Sequence, residues 1–191
     1  MRRPARILAI ALGLAAVQIG FLGSMILGRA GILREGTEIR LAVEPVDPRD
    51  LLRGDYVVLG YPISRIDRSL IGETDGRDLK GRWVYVRLSR DDDGSFAPVA
   101  AVLDGPSAAE RLENEIDLRG IVTSEAGSGE ATVQVAYGIE RYYVPEGEGR
   151  AIEDAMRQDR FEILAAVDKD GTAQIKALLH DGRAIYREPL F

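Results

Sequence analysis

Thr37-Glu38-Ile39-Arg40-Leu41-Ala42-Val43 decides the fold: Ile39, Leu41 and Val43 fall on one side of an extended chain, and Glu38, Arg40 and Ala42 fall on the other. Successive side chains of a strand point to opposite faces, so this alternation predicts a half-buried β-strand. Similar short runs return at residues 56–64, 83–89, 96–103, 118–124, 131–139, 161–167, 174–179 and 184–188. Reversal signals separate many of them: Asp91-Asp92-Asp93-Gly94, Gly127-Ser128-Gly129, Asp168-Lys169-Asp170-Gly171 and Asp181-Gly182. Short connections of this chemistry favour antiparallel pairing. Two later segments read as helices. Residues 107–116 are rich in Ala, Glu, Arg and Leu behind Pro106, and residues 150–157 place Ile152 and Met156 four apart. The expected fold class is mostly β, an antiparallel sandwich or partly open barrel, with one or two short helices covering an end or an edge.

Ahead of this domain, residues 7–27 form an apolar run with only Gln18 and Ser24 as polar interruptions. Arg2, Arg3 and Arg6 precede it, and no acidic residue occurs before Glu35. A helix rising ~1.5 Å per residue crosses a hydrocarbon core ~30 Å thick in about 20 residues, so residues 1–28 are expected to be a basic tip and a single transmembrane anchor. Two other readings compete. A signal peptide has a shorter apolar core of about 7–15 residues, and Ile26-Leu27-Gly28-Arg29-Ala30 is a poor cleavage site. A buried core helix rarely runs this long with so few polar residues. The N-terminal arginines place Met1 in the cytoplasm and the later domain outside it, although Arg29, Arg34 and Arg40 partly blunt the asymmetry. Ala16, Gly20, Ser24 and Gly28 recur every fourth residue, with Ala9 and Gly13 as a similar pair. Such a face lets another transmembrane helix approach closely, with Gln18 able to hydrogen-bond across the contact, while a chain rich in Ala and Gly also produces that spacing by chance.

Residues 29–36 are expected to be a flexible tether, and residues 37–191 one extracytoplasmic domain of ordinary size with a sizeable core. Setting aside the three N-terminal arginines leaves 22 basic against 31 acidic residues, a net charge of −9. Nucleic acid is therefore not expected as a partner, because its binding depends on neutralising phosphates. The chain has no cysteine, which excludes disulfides, thiolate catalysis and thiolate metal sites.

The most distinctive local sequence is Val46-Asp47-Pro48-Arg49-Asp50-Leu51-Leu52-Arg53-Gly54-Asp55-Tyr56-Val57-Val58-Leu59-Gly60-Tyr61-Pro62. Asp47-Pro48 and Gly54 suit reversals, and Asp55 is placed to accept backbone hydrogen bonds at a strand entrance. Val57, Leu59, Tyr61 and Ile63 then share one face, with Tyr56, Val58 and Gly60 on the other. Apolar groups on both faces predict a strand central to the fold, with Gly60 permitting a close neighbour. Here the chain resembles the GDYXXLXY family of membrane-anchored bacterial proteins, and Gly54, Asp55, Tyr56, Leu59 and Tyr61 match the motif without a departure. The resemblance extends to the N-terminal helix, to Arg141-Tyr142-Tyr143-Val144-Pro145-Glu146-Gly147 and to a closing Asp-Gly hairpin. It implies association with a multi-pass membrane protein and carries no assigned activity.

Arg53-Gly54-Asp55-Tyr56-Val57-Val58-Leu59 also looks like the Gly-Asp strand of type I signal peptidases, which need a serine just upstream and a lysine base. No serine lies between Thr37 and Arg53, and the only lysines are Lys80, Lys169 and Lys176, so that hydrolase reading is disfavoured. A Ser-His-Asp triad would need the sole histidine, His180, which reads better as a solvated residue beside a turn. Zinc lacks a histidine pair or a cysteine. Asp168-Lys169-Asp170-Gly171 begins like a calcium loop but has Leu179 where a glutamate is needed, and the Asp91-Asp92-Asp93 run is similarly incomplete. Both read as turns. Glu146 with Glu148 and Glu153 with Asp154 read equally well as solvated faces. No cofactor, metal or catalytic constellation is expected. The residues of greatest binding interest are Asp55, Tyr61, Arg141, Tyr142 and Glu146. Arg141, Tyr142 and Tyr143 are candidates to line a groove with Tyr56 or Tyr61, with at least one tyrosine of each pair in the core. The function expected is that of a binding or assembly module in the bacterial inner membrane, docked to an integral membrane protein through Ala16, Gly20, Ser24 and Gly28.

Overall fold

Helix α1 (Arg3–Glu35) leads directly into a domain of antiparallel strands in the computed structural model, which describes residues 3–46, 56–72, 78–125 and 132–189. The strands are β1 (Thr37–Ala42), β2 (Glu44–Pro45), β3 (Tyr56–Gly60), β4 (Arg65–Asp67), β5 (Trp83–Arg90), β6 (Phe96–Leu103), β7 (Glu115–Glu125), β8 (Thr132–Ala136) and β9 (Arg141–Tyr143). After a short helix α2 (Gly149–Ala155) come β10 (Phe161–Val167), β11 (Ala173–His180) and β12 (Arg183–Arg187). They form three sheets of order β1-β10-β11-β12, β2-β3-β9 and β4-β8-β7-β5-β6. The expected class, mostly antiparallel β with short helices behind an apolar helix, is the observed one.

The alternation seen in the sequence is the packing pattern. Ile39 and Leu41 of β1, Val57 and Leu59 of β3, and Ile116, Leu118 and Val122 of β7 are buried in one continuous core. The β10–β11 hairpin joins two sheets, because Gly171 in its turn accepts a 2.8 Å hydrogen bond from the Arg119 amide of β7. Gly171 has φ +80°, and a Cβ there would lie 2.9 Å from that amide nitrogen, so no other residue suits the position.

Several expectations need correction. The tether expected over residues 29–36 is the end of α1: Ala30 and Leu33, three apart on one helix face, are buried, and the helix packs against β10 and β11. Burying a leucine contributes about 1.5–3 kcal/mol, enough to keep these turns helical, and the Gly36 amide closes the helix on the Ile32 carbonyl at 2.9 Å. The helix expected over residues 107–116 is absent. The Ala109 and Glu110 carbonyls instead accept bonds of 3.1 and 3.2 Å from the Arg87 guanidinium, and Glu115 and Ile116 join β7. The run 56–64 breaks after Gly60, because Pro62 cannot donate to a ladder, and Pro62–Ser64 forms a single 3-10 turn. The run 131–139 ends at Ala136, where Gly138 adopts φ +82° and the Glu140 carboxylate accepts the Tyr137 and Gly138 amides at 2.5 and 2.9 Å.

Arg87 is the one buried charged residue among the described residues. Its guanidinium grips the Asp117 carboxylate with two bonds of 2.8 and 3.0 Å, with Glu115 at 3.9 Å. Fork-to-carboxylate geometry of this kind compensates a buried cation and raises the arginine pKa, chiefly through the Asp117 bond.

Candidate functional site

Strand β3 places the motif residues on two faces with different fates. Leu59 and Tyr61 enter the core, at 1% and 2% exposure. The Tyr61 hydroxyl donates to the Ile139 carbonyl at 2.5 Å, and the Tyr137 hydroxyl donates to the Ile63 carbonyl at 2.7 Å. The Leu59 amide adds a 2.9 Å bond to the Glu140 carbonyl. Two tyrosines thus clasp the end of β3 and the turn over residues 137–140 reciprocally. Burial pushes both hydroxyls above the usual tyrosine range, and the nearby Glu140 charge adds to the effect. Gly60 does permit a close neighbour: it pairs with Glu44 of β2, and a Cβ there would lie 2.8 Å from Val46 Cγ2.

The other face of β3, with Tyr56, Val58 and Gly60, is half-exposed, and the strand pairs with β9 in the register Tyr56–Tyr143, Val57–Tyr142 and Val58–Arg141. The Tyr56 and Tyr143 rings are 5.9 Å apart at 59°, and the Arg141 guanidinium lies 5.5 Å over the Tyr56 ring. This is an aromatic and cationic platform, with Tyr143 67% exposed. Tyr142 points the opposite way into the core, so each pair of tyrosines contributes one ring to packing. Burial, with the Glu188 charge second, pushes the Tyr142 hydroxyl up to about 12.

The platform reaches the anchor. Tyr143, Glu188 and Pro189 face Ile26, Arg29 and Leu33 of α1 across a cleft of about 340 Å³, and Arg29 lies 3.9 Å from the Glu188 carboxylate. Below that junction the helix is uncovered. Ile10–Glu35 is a 26-residue span of mean hydropathy 2.1, long and apolar enough to cross a membrane, and none of its apolar window is buried. A Cβ added at Gly20 or Gly28 would meet nothing, and the Ser24 hydroxyl is satisfied by the Phe21 carbonyl at 2.7 Å.

Of the residues singled out in the sequence, the structure therefore brings Arg141 onto the platform with motif residue Tyr56, and sends Tyr61 and Tyr142 inside. Glu146 is exposed in the turn after β9 and joins neither group. Gly54 and Asp55 lie outside the described residues. Tyr137 and Glu188 carry no local signal, since their partners Ile63 and Arg29 are distant in the chain, whereas the Glu140 carboxylate binds the nearby Tyr137 and Gly138 amides. The calcium-like sequences are turns: Asp168 Oδ1 accepts the Asp170 and Thr172 amides at 2.9 and 2.8 Å, and Asp93 Oδ1 accepts the Ser95 amide and hydroxyl at 2.9 and 2.6 Å. His180 is stacked on Phe161, with ring centroids 4.6 Å apart, and its Nε2 is 3.0 Å from Asp159.

Fold and site together define a β-domain carried on an apolar helix of membrane-spanning length, with an aromatic platform beside the junction. The chain belongs to the GDYXXLXY protein family, whose model matches residues 18–178 and so takes in part of the helix, the motif strand and the platform. No curated protein and no solved structure matches the chain.

Proposed function

We propose that this is a single-pass protein of the bacterial inner membrane, with its N-terminus in the cytoplasm and its acidic β-domain outside, acting as a binding or assembly module for an integral membrane partner. The observation that carries the reading is the way the helix meets the domain. The apolar stretch of α1 is uncovered, while Ala30 and Leu33 are seated on the domain and the Tyr56–Tyr143–Arg141 platform opens beside them. A partner helix lying along Ala16, Gly20, Ser24 and Gly28 would emerge from the bilayer next to that platform. Arg2, Arg3 and Arg6 support the orientation. Binding rather than catalysis fits a platform built from rings and one guanidinium.

The test is mass spectrometry of what co-purifies with the C-terminally tagged full chain from mild-detergent membranes, beside a variant carrying Gly20→Leu and Ser24→Leu. A membrane protein retained by the wild type and lost from the variant is the expected result. A wild-type chain that emerges alone refutes the assembly role.

A further inference from the structure

A second cleft, of about 500 Å³, opens where the four-stranded and five-stranded sheets meet the 3-10 turn. In the four-stranded sheet, edge strand β1 supplies Arg40, and β10 with the residue before it supplies Glu162 and Arg160; the β5–β6 hairpin supplies Arg90, Asp93 and Phe96; the 3-10 turn that follows the motif strand supplies Pro62 and Ile63. Its floor is apolar, with Leu41 and Ile63 buried and Phe96 half-buried, and its rim is charged.

The rim charges are not balanced. Arg160 is paired with Glu162 at 3.1 Å, and its charge contributes to lowering the Asp93 carboxyl, behind the larger effect of the Ser95 hydrogen bonds. Arg40 and Arg90 have no acidic partner among the described residues. Three guanidinium groups thus share the rim with two carboxylates, of which Glu162 is paired with Arg160 and Asp93 is held chiefly by Ser95. This local surplus of positive charge lies beside an apolar floor in a chain whose net charge, the three N-terminal arginines set aside, is −9.

We propose that this cleft binds a small amphipathic anion, a phosphate or carboxylate group held by Arg40 and Arg90 with its apolar part on Phe96 and Ile63. Guanidinium forks match the geometry of both anionic groups, and concave sites with an apolar lining and a few charged groups are the usual form of ligand pockets. The anionic group is that of a free metabolite or of a lipid headgroup, and the inference stands independently of the assembly reading.

The experiment is isothermal titration calorimetry of the full chain in zwitterionic-lipid nanodiscs with phenyl phosphate and with inorganic phosphate. Saturable binding is expected, tighter for phenyl phosphate. Arg40→Gln and Arg90→Gln should each weaken it about tenfold or more, as expected for loss of a charged hydrogen-bonding group. Phe96→Ala should remove the advantage of the ring, and Arg157→Gln, whose side chain pairs with Asp154 and does not line the cleft, should change nothing. Repeating the titration in nanodiscs containing phosphatidylglycerol separates the sources: a headgroup site is competed there, and a site for a free anion is not. Absence of saturable binding, or wild-type affinity in both the Arg40 and Arg90 variants, overturns the proposal.

Discussion

Replacing Tyr61 by phenylalanine should destabilise the domain without disturbing its outer surface. The change removes one oxygen from a side chain that is 2% exposed and strands the Ile139 carbonyl, whose residue is equally buried. Leaving a buried acceptor without its donor costs about 1–3 kcal/mol, whereas the ring itself is kept, so no cavity cost is added. For a domain of this size each kcal/mol lowers Tm by about 2–4 °C, which predicts a fall of about 4–8 °C for a loss near 2 kcal/mol. Tyr137→Phe, which strands the Ile63 carbonyl, should cost a similar amount. Because the two bonds fasten the same pair of segments, the double variant should lose less than the two single losses combined, by at least about 0.5 kcal/mol. Tyr143→Phe is the control, since an exposed hydroxyl typically changes stability by less than about 0.5 kcal/mol. The assay is thermal unfolding of the full chain in detergent, followed by near-ultraviolet circular dichroism. Tyr61→Phe and Tyr137→Phe both melting within 1 °C of the wild type would refute the clasp.

Further outcomes concern the sheets, the anchor and pH. Gly171→Ala should cost about 2 kcal/mol or more, seen as a lower urea midpoint, because it forces a left-handed residue and pushes a Cβ against the β7 backbone. Asp117→Asn leaves Arg87 buried without its carboxylate, and about 3–5 kcal/mol should be lost in the same denaturation assay. Leu33→Ser should loosen α1 from the domain, read as faster hydrogen exchange over residues 30–35 with the strands still protected. Tyr142 has a folded-state pKa near 12 against about 10 when unfolded, so its contribution is complete below pH 10 and is lost as pH rises; about 2 kcal/mol should disappear by pH 12, and Tyr142→Phe should remove that share of the alkaline loss in pH-dependent melts.

Where local pattern and tertiary packing agree, the fold is readable from the chain. Phe96–Leu103 and Phe161–Val167 begin and end where their runs of apolar residues do, and the two faces of Tyr56–Gly60 follow from the two-residue period of a strand, although both carry apolar groups. Residues 107–116 read as helix because Ala, Glu and Arg favour one. Their conformation is decided by Arg87, some 20 residues upstream, whose donors take carbonyls that a helix would have used. Residues 29–36 read as a tether because Gly28, Gly31 and Gly36 dominate the local composition, whereas burial of Ala30 and Leu33 depends on β10 and β11, more than 100 residues away. The site was half legible. Consecutive tyrosines on a strand must face opposite ways, which assigns one of Tyr142 and Tyr143 to the core, but only the β3–β9 register selects Tyr143 for the surface. Arg40, Arg90 and Arg160 lie on separate strands or turns and become neighbours only when the sheets assemble.

Site-specific photocrosslinking in membranes tests the assembly reading most directly. At about 100° per residue, Leu27 lies within about 20° of Gly20 around the helix, and Leu22 lies on the opposite side. Both are exposed in the chain alone, at 73% and 53%. With a benzophenone amino acid at each position in turn, Leu27 should yield one discrete heavier protein adduct and Leu22 none. Equal yields from the two positions, or no protein adduct from Leu27, would contradict a partner helix on the small-residue face.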